Sequence, residues 1–191
     1  MFGKKKEKLT KEEIEKRNNK ETYEWIQSLL SALIVCMIVF LFFIRIIDVS
    51  GHSMEPTLHD ADKMLVSGLF YKPKKGDIVI FKKDEYDPNK ALVKRVIATE
   101  KDTVNIDFDN GIVYVNGEAL EEDYINEITR MKEGFIGPQT VPEGCVFLMG
   151  DNRNHSTDSR TASIGMVDTR LIIGKVYSVL FPLSSMGSVY D

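Results

Sequence analysis

Ser53 stands in Gly51-His-Ser-Met-Glu-Pro-Thr-Leu58, a short polar segment that follows a long apolar run ending at Ile47. A serine hydroxyl attacks a carbonyl only when a neighbouring base takes its proton. The histidines available for this are His52, His59 and His155. His52 adjoins the serine, and in an extended chain successive side chains point to opposite faces, which makes it a poor partner. His59 follows the Pro-Thr-Leu turn and reads as a surface residue; His155 stays open as a base brought in from a distant loop. Lysine is the other candidate. Lys94 lies in Ala91-Leu-Val-Lys-Arg-Val-Ile-Ala98, where alternation sets Leu92, Lys94 and Val96 on one face and Val93, Arg95 and Ile97 on the other. A free lysine titrates near about 10.4, but desolvation disfavours the ammonium, and a buried amine can act as a general base near neutral pH. Without burial, Lys94 would simply reach water or meet a carboxylate.

The third polar constellation is Gly150-Asp-Asn-Arg-Asn-His-Ser-Thr-Asp-Ser-Arg160. So many hydrogen-bonding groups must pair with one another if the loop is buried, and otherwise it is a solvated turn. A calcium loop is excluded, because Arg153 and His155 occupy places that need oxygen ligands and glycine is absent from the sixth place. Zinc would need more His or Cys than the loop offers. Cys145 sits in an apolar run and reads as a packed thiol. Cys36 falls in the apolar run near the N-terminus, so the two cysteines cannot pair within one chain, and stability must come from burial. No metal or cofactor is called for.

The elements that would position these residues begin with the apolar run. Trp25 to Ile44 contains no charged residue, and at about 1.5 Å per residue it spans roughly the 30 Å hydrocarbon core. A transmembrane helix over 23–47 is expected, with 1–22 as a cytoplasmic basic tail and 48–191 as an extracytoplasmic domain. Residues 1–22 carry eight Lys and Arg against five Glu, with Lys4, Lys5 and Lys6 together, which places the N-terminus in the cytoplasm. A cleaved secretory signal is disfavoured, since its apolar stretch is shorter and no Ala-x-Ala site follows Ile47. Thr10 with Glu13 fits a helix-capping box. The outer part holds sixteen basic and twenty-three acidic residues and offers no nucleic-acid footprint.

Beyond the span, β-branched and aromatic residues gather in Gly76–Phe81, Leu92–Ala98, Thr103–Phe108, Gly111–Val115, Gly144–Met149 and Leu171–Leu180, separated by turn residues. Asp109-Asn110-Gly111 and Asn116-Gly117 predict a small meander around Val113 and Tyr114. A short helix over Asp123–Met131 is the one helical candidate in the outer part. The fold class is therefore mainly β: one all-β domain of coiled, barrel-like antiparallel sheets, with one N-terminal transmembrane helix.

In order and content these segments resemble the bacterial type I signal peptidases, membrane-bound Ser-Lys endopeptidases. Ser53-Met54-Glu55-Pro56-Thr57-Leu58 is similar to the nucleophile motif, Gly76–Phe81 to the strand that follows, Lys94-Arg95-Val96-Ile97-Ala98 to the base motif, and Gly150–Arg160 to the acidic-arginine loop. The resemblance implies that Ser53 attacks the scissile carbonyl and neutral Lys94 takes its proton. It implies that Ser156 hydrogen-bonds the lysine, that Met54 supports the cleft wall, and that Asp151, Asp158, Arg95, Arg153 and Arg160 form ion pairs near the site. Gly51 stands where some members carry a serine that helps hold the oxyanion, so the Ser53 N–H would carry more of that load, with Ser50 a lesser substitute. Substrates would be the signal peptides of exported preproteins, cut after small residues in the Ala-x-Ala manner. The partners would be those peptides and the lipid bilayer, with no nucleic acid and no oligomeric state specified. A single anchor and a short outer region match the small Gram-positive form.

Two other classes remain at this level. One is a catalytically silent, membrane-anchored β module that binds exported proteins. The other is a self-processing Ser-Lys protease of the repressor-cleaving type, against which the anchor and outward orientation weigh.

Overall fold

Helix α1 runs from Lys11 to Phe42 without a glycine or proline to interrupt it. The computed structural model describes residues 10–42, 45–68, 71–83 and 85–190. The chain divides into two units, one ending at Phe42 and one beginning at Phe43. The helix is long and apolar enough to cross a membrane. Its apolar side chains, Trp25, Leu29, Leu33 and Phe40 among them, are exposed rather than packed in a protein core, which is the pattern of a helix whose solvent is lipid. In its first turns, Arg17–Glu21 and Lys20–Glu24 form pairs one turn apart. The polar stretch from Lys11 to Glu24 is thus part of the helix. Lys4, Lys5 and Lys6, Ile44 and the Glu13 side chain of the expected capping box lie outside the described residues.

The boundaries expected for the membrane helix, 23–47, do not match the helix found. It starts at Lys11 and stops at Phe42, and Arg45–Asp48 is a strand, β1. The reason is local. Ile46 and Ile47 are β-branched and pair with Leu65 and Met64 of β2 (Lys63–Ser67), while Asp48 meets Lys63 at 2.9 Å.

The remaining strands are β3 (Ile78–Lys82), β4 (Ala91–Thr99), β5 (Thr103–Asp107), β6 (Ile112–Val115), β7 (Glu118–Ala119), β8 (Gln139–Thr140), β9 (Cys145–Met149), β10 (Val167–Asp168), β11 (Ile172–Phe181) and β12 (Gly187–Ser188). The larger sheet has the order β1-β2-β11-β3-β4-β9-β10, with β12 beside β11; the smaller is β7-β6-β5-β8. All described pairings are antiparallel. The predicted meander is β5-β6-β7, turning at Asn116-Gly117, where both residues have positive φ.

Strand β3 is an unbroken apolar run because both its faces are covered. Ile78 and Ile80 join a core with Val49, Met54, Leu58, Met64 and Val176, whereas Val79 and Phe81 join another with Val96, Leu148 and Ile164. A third core, around Val104, Val113, Phe135 and Phe147, lies between the small sheet and β4–β9. Phe135 contacts Phe108 and Phe147 edge to face in it.

Asp123–Met131 is irregular rather than helical. Its polar groups are spent on the acidic-arginine loop instead: Arg130 N and Met131 N donate to Asn154 Oδ1, and Ile128 O accepts from Asn154 Nδ2. A helix would have used those backbone groups internally. At the C-terminal end, Phe181 and Leu183 stay exposed, and Val179 and Val189 are the side chains that enter the core.

Candidate active site

Ser53 sits in a tight turn pinned on either side. Met54 and Leu58 are buried in the first core, and Leu58 N donates to Met54 O. Gly51, with φ of +98°, donates its N–H to Asp60 at 2.7 Å and swings the chain from β1 into this turn. The serine is half-buried. Its backbone N–H has no acceptor among the described residues, so it remains free to face a developing negative charge.

Strand β4 delivers the lysine. Pairing of Val79 with Lys94 and of Ile78 with Arg95 fixes the two cations on opposite faces, as alternation predicts. Lys94 is 2% exposed, its Nζ lies 2.7 Å from Ser53 Oγ, and it donates to Val93 O at 2.8 Å. Desolvation pulls its pKa down to about 8, opposed by the charges of Asp158 and Asp151 and assisted by that of Arg160. Among the described residues no histidine side chain hydrogen-bonds Ser53. His52 Nδ1 is 2.8 Å from Glu55, which raises the imidazole pKa, His59 lies 3.9 Å from Asp62, and His155 is exposed.

The acidic-arginine loop is buried and internally paired rather than solvated. Asp151 accepts from Arg95 Nε at 2.8 Å and Nη2 at 2.6 Å, and from Thr57 Oγ1 at 2.6 Å. One carboxylate thereby joins the β4 cation to the serine turn, in a bidentate arrangement suited to guanidinium. Asp158 takes Arg160 Nε and Nη2, and it also accepts Gly150 N at 3.0 Å. Arg153 donates to Glu122 at 2.8 and 2.6 Å and to Gly150 O. Tyr124 lies between two guanidinium groups, with Arg95 at 4.0 Å and Arg153 at 5.7 Å from its ring centre.

The expected hydrogen bond from Ser156 to Lys94 is not formed: Ser156 Oγ is buried with no partner among the described residues. The amine is already held by Val93 O and Ser53, and the Ser156 hydroxyl is packed against Gly150. A Cβ at Gly150 would collide with both Ser156 Oγ and Ser53 O, so glycine is required for the loop to lie this close to the serine turn.

Several contributors escaped the sequence reading. Asn152 N donates to Ser53 O at 3.1 Å and Asn152 Nδ2 to His52 O at 3.0 Å, clamping the serine turn from the loop. Thr57, Glu122, Tyr124 and fully buried Thr129, which accepts from Arg153, complete the scaffold. Glu122 carries no sequence signal beyond its place in the acidic run Glu121-Glu122-Asp123, far along the chain from the loop it anchors. For Asn152 there was none beyond its place in that loop. Among the described residues no group of His, Cys, Asp and Glu is arranged to hold a metal.

A slot of about 230 Å³ leads away from the Ser53–Lys94 pair, lined by Ile47, Asp48, Val49, Met54, Leu92 and Val93 among others. One wall is β1, an edge strand. The other is the first half of β4, which pairs with β3 but meets β9 only from Arg95 onward.

A serine hydroxyl beside a buried amine, braced by ion pairs and opening onto strand edges, is the equipment of a hydrolase acting on peptides. Residues 22–181 match the family model described as "Signal peptidase, peptidase S26". Signal peptidase I of Bacillus licheniformis is 36% identical over 188 residues, spanning 90% of this chain and 96% of that one. Signal peptidase IB of Staphylococcus aureus is 34% identical over 86% of this chain and 92% of its own. A probable signal peptidase I-1 of Synechocystis is 36% identical over 87% and 86%, respectively. A crystal structure of a signal peptidase I from Enterococcus faecalis shares 33% identity and covers 55% of this chain and 97% of that one, with a TM-score of 0.45. The chain belongs to the signal peptidase S26 family and is a membrane-associated serine endopeptidase.

Proposed function

We propose that this enzyme removes N-terminal signal peptides from exported preproteins, with Ser53 as nucleophile and neutral Lys94 as general base, cutting after small residues. The observation that carries this reading is the 2.7 Å approach of Lys94 Nζ to Ser53 Oγ where water is excluded. An amine with its pKa near 8 is neutral in a useful fraction of molecules at physiological pH. Ser53 Oγ attacks the scissile carbonyl as its proton passes to Lys94 Nζ; the oxyanion turns toward the Ser53 N–H. Lys94 then returns the proton to the leaving amine, and an ester joins the signal peptide to Ser53. Water, deprotonated by the same amine, attacks that ester, and the proton goes back to Ser53 Oγ as the acid departs.

An extended substrate fits between the two strand edges that wall the slot, where main-chain hydrogen bonds supply affinity and shallow apolar walls select small side chains. Arg95, Asp151, Arg153, Asp158 and Arg160 hold the loop and the serine turn in register, and Met54 anchors the turn. On this reading α1 is a single transmembrane anchor, with the N-terminus cytoplasmic because of its basic excess and 48–191 outside. Incubating the membrane-embedded enzyme with a preprotein and sequencing the new N-terminus tests this. Cleavage after Ala-x-Ala is the expected result, with little cleavage when either Ala becomes Leu. Equal cutting of both substrates would overturn the specificity assigned here.

A further inference from the structure

The lining of the slot is not wholly apolar. It includes Asp48 of β1 and, just before β4, Asn89 and Lys90, which are the lining residues furthest from Lys94 along that side. The two charges there are not equivalent. Asp48 is held by Lys63 through both carboxylate oxygens, at 2.9 and 3.0 Å. Lys90 is exposed and has no ion-pair partner among the described residues. Among the described residues, the slot therefore presents one unpaired positive charge, Lys90, to an arriving peptide.

Register places that charge on the substrate. Extended chains advance by about 3.3 Å per residue, so a peptide lying along β4 keeps step with it. Lys94 and Lys90 are four residues apart. With the residue before the scissile bond level with Lys94, the fifth residue before the bond is level with Lys90. The apolar lining between these points suits the part of the substrate that precedes the cut, not the start of the mature protein, whose side chains vary.

We propose that Lys90 is a specificity-determining residue that reads charge at the fifth position before the scissile bond, favouring an acidic side chain and disfavouring a basic one. The inference rests on the Ser53–Lys94 reading of the slot. An exposed pair of this kind changes rates by a few-fold, so the selection tunes the choice among substrates without forbidding any.

The test uses the full chain in detergent micelles and preproteins that differ only in Glu, Gln or Lys at the fifth position before an Ala-x-Ala cut. The expected kcat/KM falls by about three-fold from Glu to Gln and again from Gln to Lys. Lys90→Glu reverses that order with the Gln substrate unaffected, and Lys90→Gln removes it. Raising salt to about 1 M compresses the spread, because the pair is exposed. The same swaps at the eighth position leave the rates equal. A wild-type enzyme blind to the fifth-position charge, or an unchanged order in Lys90→Glu, overturns the role of Lys90 while leaving the peptidase reading intact. No cleavage of any substrate above the Ser53→Ala background would overturn both.

Discussion

Lys94 has exchanged the hydration of its amine for contact with Ser53 Oγ and a carbonyl oxygen, and the exchange has a thermodynamic signature of its own. Its pKa is lowered from 10.5 to about 8 by desolvation. Below about pH 8 both folded and unfolded chains hold the proton, and the folded state bears the whole cost of burying a cation. Between about 8 and 10.5 the unfolded chain binds more protons than the folded one, so stability rises with pH across that window, by on the order of 3 kcal/mol. Lys94→Met should be more stable than wild type at pH 7, and the difference should shrink as pH rises through that window. Denaturant unfolding at pH 7, 9 and 10.5 measures this; a constant difference would mean that the amine is not desolvated. Ser156→Ala removes a buried hydroxyl that lacks a partner. Its stability should stay within about 1 kcal/mol of wild type or exceed it, since no hydrogen bond is lost. Calorimetry showing a large loss would reveal a bond made by Ser156 in solution. The pairing of Ser53 with Lys94 is expected from the resemblance of their neighbours to the family's motifs, whereas spacing alone leaves His155 open as the base. The partner of Ser156 was not, because a hydroxyl's choice among acceptors depends on sub-ångström packing against Gly150.

At the scale of elements, the site consists of a turn, a strand and a loop, each held by another. Asp151 binds β4 to the turn, Asn152 clamps the turn's carbonyls, and Glu122 anchors the loop through Arg153. Glu122→Ala would leave Arg153, which is 1% exposed, without its carboxylate. The expected cost is roughly 3 kcal/mol, the usual range for breaking one side of a buried pair. Activity should fall with it as the loop loosens around Ser53. A variant with unchanged melting temperature and full activity would show that the Glu122–Arg153 pair does not brace the site. Strands β3, β4, β5, β6, β9 and β11 were legible, because β-branched runs between turn residues have few alternatives. Strand β2 was not, since Lys63-Met-Leu-Val-Ser67 holds a single β-branched residue and begins and ends on polar ones, and neither was β1, hidden at the end of an apolar run. The helix expected over Asp123–Met131 failed because tertiary hydrogen bonds to Asn154 outweigh a weak local preference.

At the scale of the whole molecule, the placing of Arg45, Ile46 and Ile47 in strand β1 rather than in the membrane helix changes where the catalytic unit starts. Strand β1 pairs along its full length with β2, and Ile47 packs on the first core. A chain beginning at residue 43 should therefore fold cooperatively and cut soluble peptides, whereas one beginning at residue 53 should lose β1, expose that core and melt at lower temperature or not fold. Circular dichroism melts of the two chains decide this. Equal stability would mean that β1 is dispensable to the sheet.

Activation of Ser53 by the buried amine of Lys94 is the step on which the proposed function depends. Its most direct test is the rate of preprotein cleavage as a function of pH for wild type, Ser53→Ala and Lys94→Ala, each shown to be folded. Wild-type kcat/KM should rise with pH to a plateau above about 8, following the amine, and neither variant should cleave above background. Cleavage retained by folded Lys94→Ala, with a pH profile set by a group near about 6.5, would contradict the claim and return the base to a histidine.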